Sequence, residues 1–370
     1  MNVEDYIDEL TQLVNIDCGT KTIDGVTYIA ELLHSMWVNE GWSAELVNLG
    51  EEVGPGVFVT NKPQKNMYDV LLIGHMDTVF PPGTVAERPL TRDEEYLYGP
   101  GVADMKSGLL NILWALRGLD EMNKERLSIA VAMNPDEETG SLHSQKWIAE
   151  LAKRSRIVLV CEAARADGAL VNARKGLARY HFEFSGVSAH AGNDPEKGRS
   201  AVSALAKCII EIQALSDPSL GTILNFCVVQ GGIAPNVIPD NAYAELDIRF
   251  WLNEDFERVH HKIEQLCADE FYPGVDTSLT RLNYRPAMVV NAGTKELMAI
   301  VEQAGDIEGV DVTWQSAGGG SDANHTSALG IPTLDGFGPA GAGFHSQSEY
   351  LEISSIEPRI RLLQRTISLL

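Results

Sequence analysis

Residues 70–78 read VLLIGHMDT: an apolar run that ends on His75, with Asp77 two positions on. A short apolar stretch of this kind is a fully buried strand. Two more follow the same plan. LSIAVAM at 127–133 runs into NPDEETG at 134–140, and RIVLVCE at 156–162 ends on Glu162. Helical spacing lies between and around them. Residues 3–15 form an amphipathic opening helix, 106–119 place Leu109, Leu110, Ile112, Leu113 and Leu116 on one stripe, and 141–153 read as a third helix. Strands that alternate with helices predict an α/β fold, a mainly parallel sheet with helices on both faces.

The pattern changes near Gly176. LARYHFEF at 177–184 alternates apolar and polar residues, as does a strand with one wet face. A helix over 199–215, strands at 223–229 and 242–251, a helix over 254–271 and a strand near 276–282 complete the order β-α-β-β-α-β, a ferredoxin-like α+β arrangement. After Pro286 the first style resumes, with helices near 294–305, 322–329 and 354–369. The expectation is a discontinuous catalytic domain, 1–175 plus 287–370, interrupted by an inserted domain at 176–286.

Composition limits the function. The 370 residues carry 29 lysines and arginines against 52 acids, a net charge of −23. Nucleic-acid binders need a basic face, and anionic membranes attract basic segments, so neither partner is expected. No apolar run reaches the ~18 residues of a membrane span. The start, MNVEDYIDELTQLVNI, lacks the basic and apolar blocks of a secretory signal. Five scattered cysteines with no CxxC pair read as free thiols of a reducing, cytoplasmic compartment.

In open α/β sheets ligands bind beyond the carboxyl ends of strands, and polar clusters fall there. His75 is a metal-ligand type, and Asp77 lies on its face of a continued strand, where a carboxylate can hold the second ring nitrogen. Asp104, in GPGVADMKSG at 99–108, precedes a helix and reads equally as its N-cap. Asp136, Glu137 and Glu138 are consecutive acids after a buried strand, able to divide the tasks of ligand and base. Glu162 ends the third strand, and His345 sits in a glycine-rich loop, GAGFHS, at 341–346. Two histidines with several carboxylates suit a borderline metal such as zinc. The glycine turn at 318–322, GGGSD, lacks the spacing of a phosphate loop, and Ser321 reads as a helix cap.

Taken in order, GHMDTV, GPGVADMKSG, NPDEETGS, CEA and GFHSQSEYL, with SAHAG, APNVIPD and AELDIRF of the inserted segment, resemble the zinc-dependent peptidase and deacylase family. That family includes glutamate carboxypeptidases, acetylornithine deacetylases and succinyl-diaminopimelate desuccinylases. The likeness runs over nearly the whole chain and is greatest to the glutamate carboxypeptidases. It implies two zinc ions (cobalt or manganese as alternatives) bridged by Asp104. His75 and Glu162 complete one site, Glu138 and His345 the other. Glu137 is then the general base and Asp77 orients His75. Glu rather than Asp at 162 points to the carboxypeptidase and deacylase branch. The resemblance also implies a cis peptide bond after Asp104, and a homodimer in which His190 reaches the partner's active site. Asn236 and Arg249 would bind substrate near its carboxylate, and Arg165 and Arg285 would serve a second carboxylate.

The implied reaction is amide hydrolysis that releases a C-terminal amino acid, glutamate, from a peptide or N-acyl, folate-like conjugate. An N-acyl-amino-acid deacylase or dipeptidase with another side-chain preference is the alternative. A non-catalytic metal-binding protein is the remote one.

Overall fold

The computed structural model describes residues 2–370. They divide into two compact units. One comprises the chain up to Ala173 with Val290–Ala317 and Ser321–Leu370, the other Arg174–Val289 with Gly318–Gly320.

The first unit is built on a six-stranded sheet. Its spatial order is Ser43–Val47, Gly56–Thr60, Ile129–Asn134, Tyr68–His75, Ser155–Val160 and Thr333–Leu334. The last four strands pair parallel to one another, and the first two add an antiparallel edge. Every residue of Ile129–Asn134 is buried, and so is Val70–His75. A strand buried on both faces must carry helices on both, which is why these runs are continuously apolar rather than alternating. Register sets the ends side by side: His75 stands opposite Asn134, and the Cys161 amide donates to Ile73 O at 2.9 Å. The loops after these strands therefore leave from one edge of the sheet.

The helix predicted over 106–119 is Ser107–Arg117. It packs so closely on the sheet that a Cβ at Gly108 would lie 1.9 Å from Cys161 O. Asp104 is not its cap. It sits in the turn Val102–Lys106 at φ −111° and ψ 93°, followed by a cis peptide bond to Met105. The helix expected from 141 starts at Gln145. Asp136 spends the preceding residues on a tight turn, accepting from Ser144 Oγ at 2.5 Å and the His143 amide at 2.7 Å. A small sheet of Gly341–Ala342, Tyr350–Glu352, Tyr96–Tyr98 and Thr91–Arg92 carries the loop that contains His345.

The second unit is a four-stranded antiparallel sheet in the order Ile223–Gly231, Asn241–Phe250, Gly176–Ser185 and Asp276–Arg285. With helices Ala201–Gln213 and Asn253–Ala268 its chain order is β-α-β-β-α-β. Ala178, Tyr180, Phe182 and Phe184 alternate inward and share a core with Ala204, Cys208, Phe256 and Val259 of the helices. Ile223–Gly231 is an edge strand, and Val229 on it and Ile210 on the first helix are exposed. Among the described residues no helix is long and apolar enough to cross a membrane, and the five cysteines are free thiols.

Candidate metal centre

His75 is the last residue of its strand and is buried. Its Nδ1 lies 2.9 Å from Asp77 O and 3.3 Å from Asp77 Oδ1. The carbonyl is thus the nearer partner of that nitrogen, and Nε2 is turned the other way, 3.2 Å from Asp104 Oδ1 and 3.7 Å from Glu162 Oε1. The Asp77 carboxylate does more than face His75. It accepts Thr20 Oγ1 at 2.6 Å and the amides of Glu137 and Glu138 at 3.1 and 3.2 Å. One buried side chain thereby ties the histidine strand to the acidic loop.

The second oxygen of Asp104 lies 3.2 Å from His345 Nε2, which is 3.1 Å from Glu138 Oε2. Two triads result, His75–Asp104–Glu162 and Asp104–Glu138–His345, and in each the ligand atoms lie within 4.8 Å of one another. Asp104 belongs to both and offers one oxygen to each. Glu137 is also buried, and its charge is among those acting on Glu138 and Glu162, so it stands close to both.

The electrostatics are those of an anionic cage. Burial works against a charged His75, yet Glu162, Asp104 and Asp77 hold its pKa well above the usual value. Desolvation works against a charged Asp104, but its bonds to the two histidines keep it below the carboxylate range. Burial pushes Glu138 up to about 7 against the bond from His345, and drives Glu162 well up with the help of Asp104. Bonds to Asp104 and Glu138 raise His345 to about 10. Among the described residues no lysine or arginine pairs with Asp104, Glu138 or Glu162. Carboxylates gathered this closely around two imidazoles, with no lysine or arginine paired to them, fit divalent metal ions with mixed nitrogen and oxygen donors.

Residues around the cage brace it, and sequence reasoning missed most of them. Glu349 is fully buried, and its carboxylate accepts the amides of Gly101, Ala103 and Asp104 at 3.0, 2.9 and 3.0 Å. Burial lifts it to about 7 although those three bonds pull the other way. It lies four residues from His345, in the same GFHSQSEYL segment, so the loops of Asp104 and His345 are clasped together. Lys106, in the GPGVADMKSG segment, is also buried. Its Nζ donates to the carbonyls of Ile16, Pro100 and Val14 at 3.1, 3.3 and 3.4 Å. Asp322 accepts Ser141 Oγ at 2.5 Å and the side-chain Nδ2 of Asn134, fixing both ends of the acidic loop. Ser321 caps its helix in a capping box with Asn324, as the sequence predicts.

The other sequence candidates are distributed between the units. Arg165 belongs to the first, with its guanidinium 6.0 Å from the Phe344 ring, beside His345. In the second, His190 and Asn236 are neighbours, since the Ala191 amide donates to Asn236 O at 2.9 Å. His190 Nδ1 accepts the amides of Gly192 and Asn193, both at 3.1 Å, which leaves the ring proton on Nε2 as an outward donor. Arg249 is held by Asp247, Nε to Oδ1 at 2.7 Å and Nη2 to Oδ2 at 3.2 Å. Arg249 and Arg285 each stand opposite Leu177, from the strands on either side of it. Arg285 is buried against Gly320.

Residues 71–369 match the family model described as Peptidase family M20/M25/M40. Carboxypeptidase G2 of Pseudomonas sp. (strain RS-16) is 31% identical, over 98% of this chain and 88% of its own length. The structure of aminopeptidase PepT from Bacillus cereus superposes with a TM-score of 0.81 at 22% identity, covering 100% of this chain and 99% of that one. A Bacillus subtilis structure described as a dinuclear metal binding peptidase from the M20 family gives a TM-score of 0.70 at 13% identity, covering 99% of this chain and 97% of that one. The family model spans most of the sequence and one relative matches nearly all of it, so the chain belongs to peptidase family M20/M25/M40 and is a hydrolase of its peptidase and amidohydrolase kind.

Proposed function

We propose that this hydrolase is a dinuclear zinc enzyme that cleaves an amide bond and releases a C-terminal amino acid, glutamate, from a peptide or N-acyl conjugate. The observation that carries the reading is the pair of triads sharing Asp104. His75, Asp104 and Glu162 would hold one ion, and Asp104, Glu138 and His345 the other. The dinuclear description of the Bacillus subtilis neighbour and the name of the Pseudomonas relative agree with this. Bound there, such ions supply Lewis-acid chemistry, polarising a carbonyl and acidifying water.

The chain's own residues do the rest. Glu137, in a buried and strongly acidic setting, takes a proton from the attacking water on its carboxylate and passes it to the leaving nitrogen. Asp77 fixes both the imidazole of His75 and the backbone that carries Glu137. His190, with Nε2–H free to donate outward, suits a developing oxyanion. Arg249 and Arg285 are two strand spacings apart, roughly 10 Å, and suit an amino acid with two carboxylates. Asp247 would share Arg249 with the substrate. Arg165 and Asn236 complete the proposed substrate set.

The domain reading is a catalytic domain of 1–175 and 287–370 and a dimerisation domain of 176–286. The open edge strand Ile223–Gly231, with exposed Val229 and Ile210, supports a homodimer. The free thiols support a cytoplasmic location.

The test is hydrolysis of a panel by zinc-loaded protein: folate, N-acyl-glutamate, N-acetylornithine, succinyl-diaminopimelate, acyl-aromatic amino acids and dipeptides. Chelated protein and Glu137→Gln serve as controls. Release of glutamate, abolished by chelation and cut at least ~10²-fold in Glu137→Gln with metal content unchanged, is the expected result. Turnover of another member alone moves the substrate and keeps the chemistry.

A further inference from the structure

His345 differs from the other residues of the two triads. Its side chain is 56% exposed, against 1% for His75, and its backbone is left-handed, at φ 60°. A residue other than glycine at positive φ is uncommon and persists where its surroundings enforce it. In that conformation Nε2 faces Asp104 at 3.2 Å and Glu138 at 3.1 Å. Whatever enforces the conformation therefore also sets the second triad.

Part of the enforcement is local. The Ser346 amide and hydroxyl donate to Gly343 O at 3.2 and 2.6 Å, and the Ser348 amide donates to Ser346 Oγ at 3.2 Å. These bonds close the turn on itself but do not aim it. Glu349 pins the far end, and the Arg165 guanidinium lies over the Phe344 ring in a looser, stacking contact. Beside His345 the hold comes from another loop. Arg88, half-buried, donates from Nη1 to Ser346 O at 3.1 Å. Its guanidinium lies 4.8 Å from the Phe80 ring centroid, and its amide donates to Thr84 O at 2.8 Å. The Asp17 carboxylate accepts the amides of Gly83 and Val85 at 2.7 and 2.9 Å, so the donor stands on a fixed base. Next to it is a cavity of about 350 Å³ lined by Phe80, Pro81, Thr84, Glu87, Arg88 and Gln347. The turn has room to swing into that space once the bond is gone.

We propose that Arg88 is a positioning residue of the metal centre: its bond to Ser346 O keeps His345 left-handed, with Nε2 between Asp104 and Glu138. The inference rests on the reading of the Asp104 cage as the ion-binding centre. The donor is a cation, and among the described residues no carboxylate competes for it, so the bond is of the stronger, charge-assisted kind. Lysine would keep the charge and lose the flat stack on Phe80 that fixes the donor. Arg88 meets neither ion nor substrate in this role. It acts through the backbone of residue 346.

The experiment measures ion binding as well as turnover. Cobalt is titrated into the metal-free full chain and followed by visible absorption, for the wild type, Arg88→Met, Arg88→Lys, His345→Ala and the double variant of Arg88→Met with His345→Ala. Circular dichroism checks folding, and the hydrolysis panel is run on each protein. The wild type is expected to bind two ions. Arg88→Met should weaken one of them about tenfold, the size of a lost hydrogen bond to a charged group, and leave the other unchanged. Arg88→Lys should fall between. His345→Ala should lose that same ion. In its background Arg88→Met should leave the remaining ion untouched, which a merely structural role would not do. Equal weakening of both ions in folded Arg88→Met, two unchanged affinities, or a further loss in the double variant overturns the proposal. Two ions and amide turnover with a flat Arg88 series remove the role of Arg88 and leave the catalytic reading. The Arg88 pattern without turnover of any amide does the reverse, and a wild type that binds fewer than two ions removes both.

Discussion

Replacing Glu349 with alanine removes the acceptor of three backbone amides at once, those of Gly101, Ala103 and Asp104. Each buried donor left without a partner costs about 1–3 kcal/mol. Three would sum to about 3–9 kcal/mol, but the deleted side chain leaves room for water to satisfy part of the set. The expected destabilisation is about 3–5 kcal/mol, a large share of the 5–15 kcal/mol typical of a folded protein. Glu349→Gln is milder. Its remaining oxygen can still serve Ala103 and Asp104, while its amide group meets the Gly101 N–H donor to donor, for about 1.5–3 kcal/mol. The second consequence concerns Asp104. Both triads use it, so on the proposed assignment a displaced Asp104 weakens both ion sites together, whereas Glu162→Gln weakens only one. Urea unfolding reads the first effect. Titration with cobalt, followed by its visible absorption, reads the second. Glu349→Ala within 1 kcal/mol of wild type, or loss of one ion with the other retained, would refute the reasoning.

Stability of the metal-free protein is expected to fall as pH rises. Glu138, raised from 4.5 to about 7, contributes stability that is present below 4.5 and lost through 7. His345, raised from 6.5 to about 10, loses its contribution from 6.5 through 10. Ion binding favours the deprotonated ligands, so the gap in Tm between zinc-loaded and metal-free protein should widen between about pH 5 and pH 9. A metal-free Tm that climbs over that window contradicts the assignment. Gly108→Ala should cost about 3 kcal/mol in urea unfolding, because its Cβ is driven to 1.9 Å from Cys161 O. Thr20→Val removes the 2.6 Å bond to the Asp77 carboxylate. It should cost about 1.5–3 kcal/mol, as bonds to charged groups do, and unchanged stability would show that the bond contributes nothing.

The parallel core of the sheet was legible because its strands are buried on both faces and read as unbroken apolar runs, VLLIGH, LSIAVAM and RIVLVCE. The edge strands Ser43–Val47 and Gly56–Thr60 were not read. Ser43–Val47 has no buried residue to mark it, and Gly56–Thr60 is short and opens on glycine. The helix Ile23–Asn39 escaped for a related reason: no side chain caps its start. At the site, residue type and position after a strand pointed to His75, Glu138 and Glu162. The reading of Asp104 as a helix cap failed because spacing does not reveal the turn that lifts it away from the helix. Glu349 and Lys106 lie inside the motif segments, yet their roles appear only when distant segments meet, Glu349 with a loop 245 residues away and Lys106 with carbonyls some 90 residues back. Asp77 was read as a partner of His75, but its bonds to the amides of Glu137 and Glu138 depend on a loop sixty residues further on.

The clasp of Glu349 on the Asp104 loop has a meaning for synthesis. Between the first proposed ligand, His75, and the last, His345, the ribosome must deliver the whole of the second unit, Arg174–Val289. A nascent chain that has passed residue 162 already carries His75, Asp104, Glu137, Glu138 and Glu162, but the amides of the Asp104 loop lack the Glu349 acceptor and His345 does not yet exist. On the proposed ligand set, hydrolytic competence arrives late and in one step, when residues 345–349 emerge and close onto a loop made some 240 residues earlier. Until then the cell holds an acidic sheet edge rather than an active protease.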